Sequence, residues 1–424
     1  MPYLQASISF VVYLLMVTFF KERPDFPLLI GFYSILFALY LIISLKTTLR
    51  FWQLILFAVL FRLPFLLSDP VLSDDVYRFI WDGTLTLQGE NPYLYLPSEY
   101  AGGMPAGLLE KLNSPDYYSV YPALNQYMFA GAVWLGKGTI AGSILAFRLL
   151  LLAFSITGLV FFRKLMYKTG HSEAGLYLKL YAFNPLIILE TIGNIHFEEV
   201  MVVLLLIAWF IYLKTKSVCF SGVFFAMACS VKLLPLMLLP LIWKKLGLEK
   251  GFIFVSIVAV SFALLSIPLL SAEVITHFLN SVDLYFHKFE FNASLYYLIR
   301  WLGFTLAGFN IIQVAGTALA LLSLVLILSL SLKQRELAKS SLFIFSVYLL
   351  CSTTVHPWYL ITPLIFSFFT PYRYLLVWSF TVIFSYSAYT TSGVEENMLF
   401  LMLEYLPVIG AFIWEMNRQK ALKA

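Results

Sequence analysis

The sequence predicts an all-α polytopic membrane protein, and three observations carry that prediction. Of its 424 residues 61% are hydrophobic and 12% charged, with a mean hydropathy of +0.86, whereas a soluble domain is about half apolar and about a quarter charged. The apolar residues gather in runs that approach the roughly 20 helical residues a bilayer crossing needs. The basic residues collect in alternate connections between those runs, as the positive-inside rule asks of cytoplasmic loops. A water-soluble fold is thereby excluded, and the net charge of +5 is a matter of membrane topology and not a sign of nucleic-acid binding.

Candidate spans fall near 4–20, 28–45, 51–67, 143–161, 174–190, 199–213, 217–231, 233–243, 251–270, 309–332, 341–354, 357–370, 372–390 and 399–414, about 13 to 14 transmembrane helices. The first run has no basic leader and is followed at once by Lys21-Glu22-Arg23-Pro24 and a second run, so it reads as a retained helix. With the N-terminus inside, the cytoplasmic turns hold Lys46 and Arg50; Arg163, Lys164 and Lys168; Lys214 and Lys216; Lys244, Lys245 and Lys250; Lys333, Arg335 and Lys339; Arg373; and Arg418, Lys420 and Lys423. These are most of the 28 basic residues, and Glu99 and Asp283 then face outward. The alternation requires residues 122–136 to form an interfacial helix on or in the outer leaflet. The chain reads as one transmembrane domain, 1–424, with no separate soluble domain and no internal repeat. Cys219, Cys229 and Cys351 lie in apolar runs without metal-ligand spacing and read as small core residues.

The outer face carries the long polar connection, residues 68–121, which is acidic and rich in tyrosine. Connections of that length are usually functional or disordered, and the aromatics argue against disorder. Within it, Ser73-Asp74-Asp75-Val76-Tyr77-Arg78-Phe79-Ile80-Trp81-Asp82-Gly83 opens a helix. Ser73 suits the cap, two acids suit the first turn, and Val76, Phe79, Ile80 and Leu87 form an apolar side. Arg78 is spaced to bridge Asp74, Asp75 and Asp82 along one polar stripe. As plain structure this is a capped interfacial helix with surface ion pairs. As chemistry, a carboxylate held at the membrane surface beside apolar walls can accept a proton from a hydroxyl as general base.

SDDVYRFIWDG, then Gly89-Glu90-Asn91-Pro92-Tyr93, then Tyr121-Pro122-Ala123-Leu124-Asn125-Gln126, resembles the first outer loop of the glycosyltransferase C superfamily, in particular bacterial polyprenyl-phosphate-mannose-dependent mannosyltransferases. The likeness continues through Asn194-Ile195-His196-Phe197-Glu198, Lys232-Leu233-Leu234-Pro235, Phe291-Asn292-Ala293-Ser294-Leu295-Tyr296 and His356-Pro357-Trp358-Tyr359. It implies a glycosyltransferase C-like bundle in which an outer-loop acid is the base, the donor is a polyprenyl-phosphate hexose, and transfer inverts the anomeric carbon. By that likeness Asp74 is the base, and Asp75 orients it or binds the acceptor or a metal. The likeness also implies a cell-envelope glycan product, with mannose the expected hexose, and a bacterial inner-membrane enzyme whose active site faces the periplasm. The chain departs from many members in having more than one helix before the loop and no large soluble C-terminal domain. That leaves the acceptor open among glycan, lipid and protein.

The remaining polar residues are read from their positions. His196, Glu198 and Glu199 sit at the outer end between two spans, where ionisable groups mark a functional site unless the turn is simply solvated. With Tyr77, Arg78 and Asp82 they are candidates for loop support or acceptor contact. A divalent cation (Mg or Mn) would draw on His196, Glu199 or Asp75. Lys232 interrupts the apolar run from Val218 to Trp243 and must snorkel, pair or face a cavity. It is a candidate for a lipid phosphate, as are Arg148, Arg300, His356 and Tyr359; guanidinium matches phosphate in a bidentate way. The plain alternatives are interface anchors for the two arginines and an aromatic belt for His356 to Tyr359. Asn292-Ala293-Ser294 matches a glycosylation acceptor pattern that means little without a compartment.

Two classes of function compete. A lipid-phosphate-sugar transferase gathers its polar groups at one membrane face. A lipid or solute transporter or flippase would line a path across the midplane, often with repeated halves. The polar residues cluster at one face, which favours the transferase.

Overall fold

The computed structural model describes residues 2–100, 102–333 and 336–422, with side chains for all of these except 282–287. Arg335, Lys423 and the side chain of Asp283 lie outside the described residues. The described chain is helical almost throughout, with one short hairpin, Tyr389–Thr390 against Gly393–Val394. Six helices are long and apolar enough to cross a membrane: Pro2–Phe19, Phe26–Lys46, Ile140–Lys168, Leu248–Leu269, Ile312–Lys333 and Met398–Ala421. A bent pair, Pro185–Gly193 with Glu198–Thr215 at 111°, makes a seventh, and Phe51–Phe65, Val218–Val231, Leu337–Cys351 and Tyr374–Ala388 are shorter apolar helices.

The expected 13 to 14 spans are therefore reached by length and composition in only six or seven. Several apolar runs are divided. Residues 233–243 fold as a tight turn of helix, Leu234–Leu238, followed by Leu239–Leu246, and residues 357–370 fold as Pro357–Leu360 followed by Ile361–Ser367. Proline opens a helical turn well but lacks the N–H that continues one, and Pro185, Pro235 and Pro357 stand where runs that composition reads as continuous are divided, whereas Pro407 stays within Met398–Ala421. The long helices start where their caps dictate. Asp25 accepts from Leu28 N at 3.4 Å ahead of Phe26–Lys46, and Ser217 accepts from Phe220 N at 3.3 Å ahead of Val218–Val231.

Phe26–Lys46, 21 residues, spans about 31 Å and separates two ends of the bundle. At one end Lys179 donates to the Thr47 carbonyl, Arg163 lies 4.3 Å from the Phe51 ring and Arg373 lies 4.6 Å from the Tyr177 ring. At the other, Arg23 meets Asp74 and Lys232 meets Glu198. The helix Ala123–Leu135 starts at this second end. Asn125 donates to the Val231 carbonyl at 2.8 Å, and the chain then enters Ile140–Lys168, where Arg148 reaches the carbonyls of Leu66 and Ser68.

The loop helix is Asp75–Gln88. Val76, Phe79 and Ile80 are buried, but Leu87 is 48% exposed, so the apolar side ends a turn earlier than its spacing suggests. Asp74, not Ser73, occupies the N-cap, and Ser73 Oγ accepts from Asp75 N at 3.3 Å. Gly83 lies against Phe129 of Ala123–Leu135, where a Cβ would stand 2.6 Å from the Phe129 carbonyl carbon. Only glycine permits that approach, and beside it the Phe79 and Phe129 rings stack at 4.5 Å.

Arg78 does not run along a surface stripe. It pairs with Asp82 at 2.8 Å, both buried, and donates to the carbonyls of Tyr117 at 2.6 Å and Ser114 at 3.2 Å. Asp82 also accepts from Ser119 Oγ at 2.5 Å and Gln126 Nε2 at 3.0 Å. One buried pair thus fastens residues 114–126 onto the loop helix. Among the cysteines, Cys229 and Cys351 are buried as expected, but Cys219 is exposed.

Candidate active site

Two breaks in the helices build the site. After the turn Leu189–Gly193 the chain bends, with Ile195 at φ +63°, a left-handed conformation that β-branched residues rarely adopt. Such strain persists only where the surroundings enforce it, and Ile195 is fully buried. The bend brings His196 and Glu198 to the end of the bundle. The second break is Lys232, extended at φ −153° after Val218–Val231, with Pro235 opening the return turn.

Lys232 Nζ donates to Glu198 Oε1 and lies 4.1 Å from the Tyr359 ring centroid. Glu198 is buried while the Lys232 side chain is 33% exposed, so the ammonium keeps an open side. An ammonium has three donors, and only one is spent on Glu198. Behind the pair is a stack of rings. Trp358 lies between His196 at 3.7 Å and His356 at 4.3 Å, and Phe291 covers the far side of His356 at 5.0 Å. Trp358 and Tyr359 are buried, so this segment is not an aromatic belt facing headgroups; it is the inner wall of the site.

The acid pair stands at the N-terminus of the loop helix. Asp75 Oδ1 accepts from Asn113 Nδ2 at 3.0 Å. Burial pushes the Asp75 carboxyl up, and the nearby charges of Glu198 and Asp74 add to that. The Asn113 hydrogen bond and the Lys232 ammonium pull it back only in part. Asp74 faces a different partner, Arg23 Nη2 at 2.8 Å. Arg23 Nε also donates to the Val71 carbonyl at 3.1 Å, and its guanidinium lies 4.9 Å from the Tyr389 ring. The two neighbouring acids therefore have opposite environments. Asp74 is held by a cation, and Asp75 is a partly buried carboxyl within electrostatic reach of Lys232.

Other expected residues stand elsewhere. Glu199 is buried between Ser155 Oγ at 2.5 Å and Tyr181 Oη at 2.7 Å, turned into the bundle and away from His196. The His196 ring nitrogen approaches Glu190 instead, at 3.8 Å. Arg148 is fully buried and donates to the carbonyls of Ile192, Gly193, Leu66 and Ser68. A guanidinium so bound to backbone ties two connections together and has no face for a phosphate. Arg300 pairs with Glu290 at 2.6 Å and lies 4.2 Å from the Tyr297 ring, in a side cluster apart from Asp75. Tyr77 is buried with Lys111 5.2 Å from its ring. Asn292 is buried and donates to Glu404 Oε1 at 3.1 Å, which makes it part of the frame. Among the described residues no three His, Cys, Asp or Glu side chains converge as a metal site. His196 and Glu199 in particular point apart, so those two do not share an ion.

Sequence reading missed Arg23, Asn113 and Tyr389, and it gave Trp358 no role beyond an interface ring within the His356–Tyr359 motif. Arg23 alone carried a signal, a cation in the outer turn between the first two spans facing a strongly acidic loop.

The comparisons with known proteins join this geometry. Residues 24–246 match the family described as "alpha-(1->6)-mannopyranosyltransferase, N-terminal domain". That stretch holds Asp74, Asp75, Glu198 and Lys232, while Trp358, His356 and Tyr389 lie beyond it. An alpha-(1->6)-mannopyranosyltransferase of Mycobacterium tuberculosis is 30% identical over 155 residues, 35% of this chain and 25% of that protein. The alignment thus spans about a quarter of the relative's length. No solved structure matches. Since the family match covers more than half of the chain and includes the acid pair with its facing lysine, the protein belongs to the alpha-(1->6)-mannopyranosyltransferase N-terminal-domain family.

Proposed function

We propose that the protein is a membrane mannosyltransferase that moves mannose from a polyprenyl-phosphate donor to an acceptor hydroxyl, with inversion. The observation that carries this reading is the convergence of a perturbed carboxyl, Asp75, on an ion-paired and partly open lysine, Lys232. The acceptor oxygen attacks the anomeric carbon, the bond from that carbon to the phosphate oxygen breaks, and the electron pair leaves with the lipid phosphate. Lys232 stabilises that developing charge. Glu198 and the Tyr359 ring hold the ammonium in place, and the stacked His196, Trp358 and His356 make a dry wall behind the sugar.

The hydroxyl proton goes to a carboxylate. The likeness to known transferases favours Asp74, but the geometry favours Asp75. Asp74 is engaged by the Arg23 guanidinium, whereas Asp75 is a partly buried carboxyl whose pKa is raised toward the working pH. We assign the base to Asp75 and the positioning of the loop helix to Asp74.

The bases gathered at the opposite end of the bundle support a cytoplasmic assignment for that end and a periplasmic one for the site, in a bacterial inner membrane. On this topology residues 122–136 form an interfacial helix, and the short divided helices complete a glycosyltransferase C-like bundle.

The test is to incubate full-length protein in nanodiscs with radiolabelled polyprenyl-phosphate mannose and an α-mannoside. Consumption of the donor with formation of a longer mannoside is expected. If no polyprenyl-phosphate sugar is consumed while proteoliposomes show coupled solute uptake, the transporter reading replaces this one.

A further inference from the structure

Ile140–Lys168 and Glu198–Thr215 run side by side, and both end away from the acid pair. At 29 residues the first is about 44 Å long, enough for the hydrocarbon core and both headgroup layers of a bilayer. Its last turns, with Arg163, Lys164 and Lys168, therefore stand at headgroup depth. The second helix brings Lys214, and Lys216 as its C-cap, to the same end. The two ends meet through Phe161 and Phe210, edge to face at 5.5 Å between centroids. Lys164 Nζ lies 4.8 Å from the Phe161 ring and 5.5 Å from the Phe210 ring, and Lys214 Nζ lies 6.0 Å from that same Phe210 ring. Two ammoniums thus share one ring. Beside them Arg163 is held at 4.3 Å from Phe51 and 5.5 Å from Tyr167.

Among the described residues none of these five cations is ion-paired. Glu173, the next acid along the chain, accepts instead from Tyr177 Oη at 3.0 Å. A helix C-terminus carries about half a negative charge, so the two helix ends answer only about one of the five. Retention of bases during insertion accounts for cations at this end in general; it does not account for two of them gathered on one ring with no acid between. The basic turn Lys244 to Lys250 is differently made, since Glu249 stands within it and Glu336 is within electrostatic reach of Lys245. We infer that the Lys164–Phe210–Lys214 cluster binds the headgroup of an anionic phospholipid, with the phosphodiester seated between the two ammoniums. Each ammonium has three donors and spends none on a carboxylate, and a phosphodiester supplies both the acceptors and the missing charge. Tyr167 and Phe220, 62% and 67% exposed, are rings suited to the lipid boundary beside that headgroup. A zwitterionic headgroup brings a cation of its own and leaves the excess charge unanswered. The inference is independent of the transferase reading and of which leaflet this end faces.

The experiment titrates full-length protein in neutral detergent with phosphatidylglycerol or phosphatidylcholine, and reads bound lipid by native mass spectrometry and by the rise in Tm. The wild type should retain phosphatidylglycerol in preference to phosphatidylcholine. Lys164→Gln combined with Lys214→Gln should weaken phosphatidylglycerol retention about thirtyfold, the worth of two bases near a charged surface. Lys164→Arg with Lys214→Arg keeps the charge and should stay within about threefold of wild type. The same loss of charge at the other turn, Lys244→Gln with Lys250→Gln, should also stay within about threefold, because the site is a local arrangement and not the summed field of that end.

Equal weakening in the two glutamine pairs would reduce the cluster to a diffuse field and overturn the site. Phosphatidylcholine retained as well as phosphatidylglycerol would overturn the anionic class, and a rise in Tm with inorganic phosphate as large as with the lipid would overturn the lipid as its source. Should the double glutamine variant fail to fold, Lys214→Gln alone, at an exposed position, decides the matter: about a fivefold loss of phosphatidylglycerol retention sustains the site, and no loss overturns it.

Discussion

Arg23, on the turn between the first two helices, closes an ion pair with Asp74 at 2.8 Å, while the next residue, Asp75, turns to Asn113. The pairing separates two acids that are alike in residue type and local setting. Under conditions where chemistry limits the rate, Asp75→Asn should lower kcat by about 10²–10⁴, the usual worth of a general base. Asp74→Asn should cost less, because it removes a positioning contact. Both variants should remain folded and inserted. The reverse ranking would return the base to Asp74 and leave Arg23 as the group that tunes it.

The pH profile follows from the same environment. Burial raises the Asp75 pKa above the ordinary carboxylate range, and a base must be ionised, so kcat should fall with acid at a higher pH than an ordinary carboxylate would give. Lys232 and Asn113 each lower that pKa. Removing either, as in Asn113→Ala, should therefore move the acid limb to still higher pH. Stability runs the other way: with the folded pKa above the unfolded one, the folded state loses stability as pH rises through that window. An acid limb that stays in place in Asn113→Ala would identify another titrating group.

Lys232 tests the donor side. Lys232→Met keeps the length and the apolar stem but removes the charge, and insertion should survive. Donor KM should rise and kcat should fall, since the leaving phosphate loses its cation. Unchanged donor kinetics would make Lys232 an interface anchor and move the phosphate to another part of the wall, with His356 the next candidate.

Arg148 and Arg78 should behave as frame. Arg78→Met leaves Asp82 buried without its cation, a change that costs about 3–5 kcal/mol in comparable pairs, read as a lower Tm in detergent. Arg148→Met frees four carbonyls on two connections and should likewise lower Tm. In each case the fraction that stays folded should bind donor with unchanged affinity. A selective loss of donor binding in a fully stable Arg148→Met would show that its guanidinium serves the phosphate after all.

The sequence by itself determined the membrane class and the loop that carries the acid pair, and it singled out Lys232 as a charge that needs a partner. These follow from local quantities: apolar run length, the placement of bases, and a charge inside a hydrophobic stretch. It also placed Val76, Phe79 and Ile80 on one side of a helix, because helical spacing is a property of neighbours along the chain. It did not determine how many runs act as single helices, since a proline's effect depends on whether the packing around it bends or breaks the run. Nor did residue type and spacing separate Asp74 from Asp75, which only the family likeness ranked, Arg148 from Lys232, or Glu198 from Glu199. Each of those pairs carries the same kind of charge in a similar local setting. Only the tertiary structure decided them, because the partners that set them apart, Arg23 for Asp74, four backbone carbonyls for Arg148 and Tyr181 for Glu199, arrive from distant parts of the chain, and a charge near lipid takes its role from whatever neutralises it.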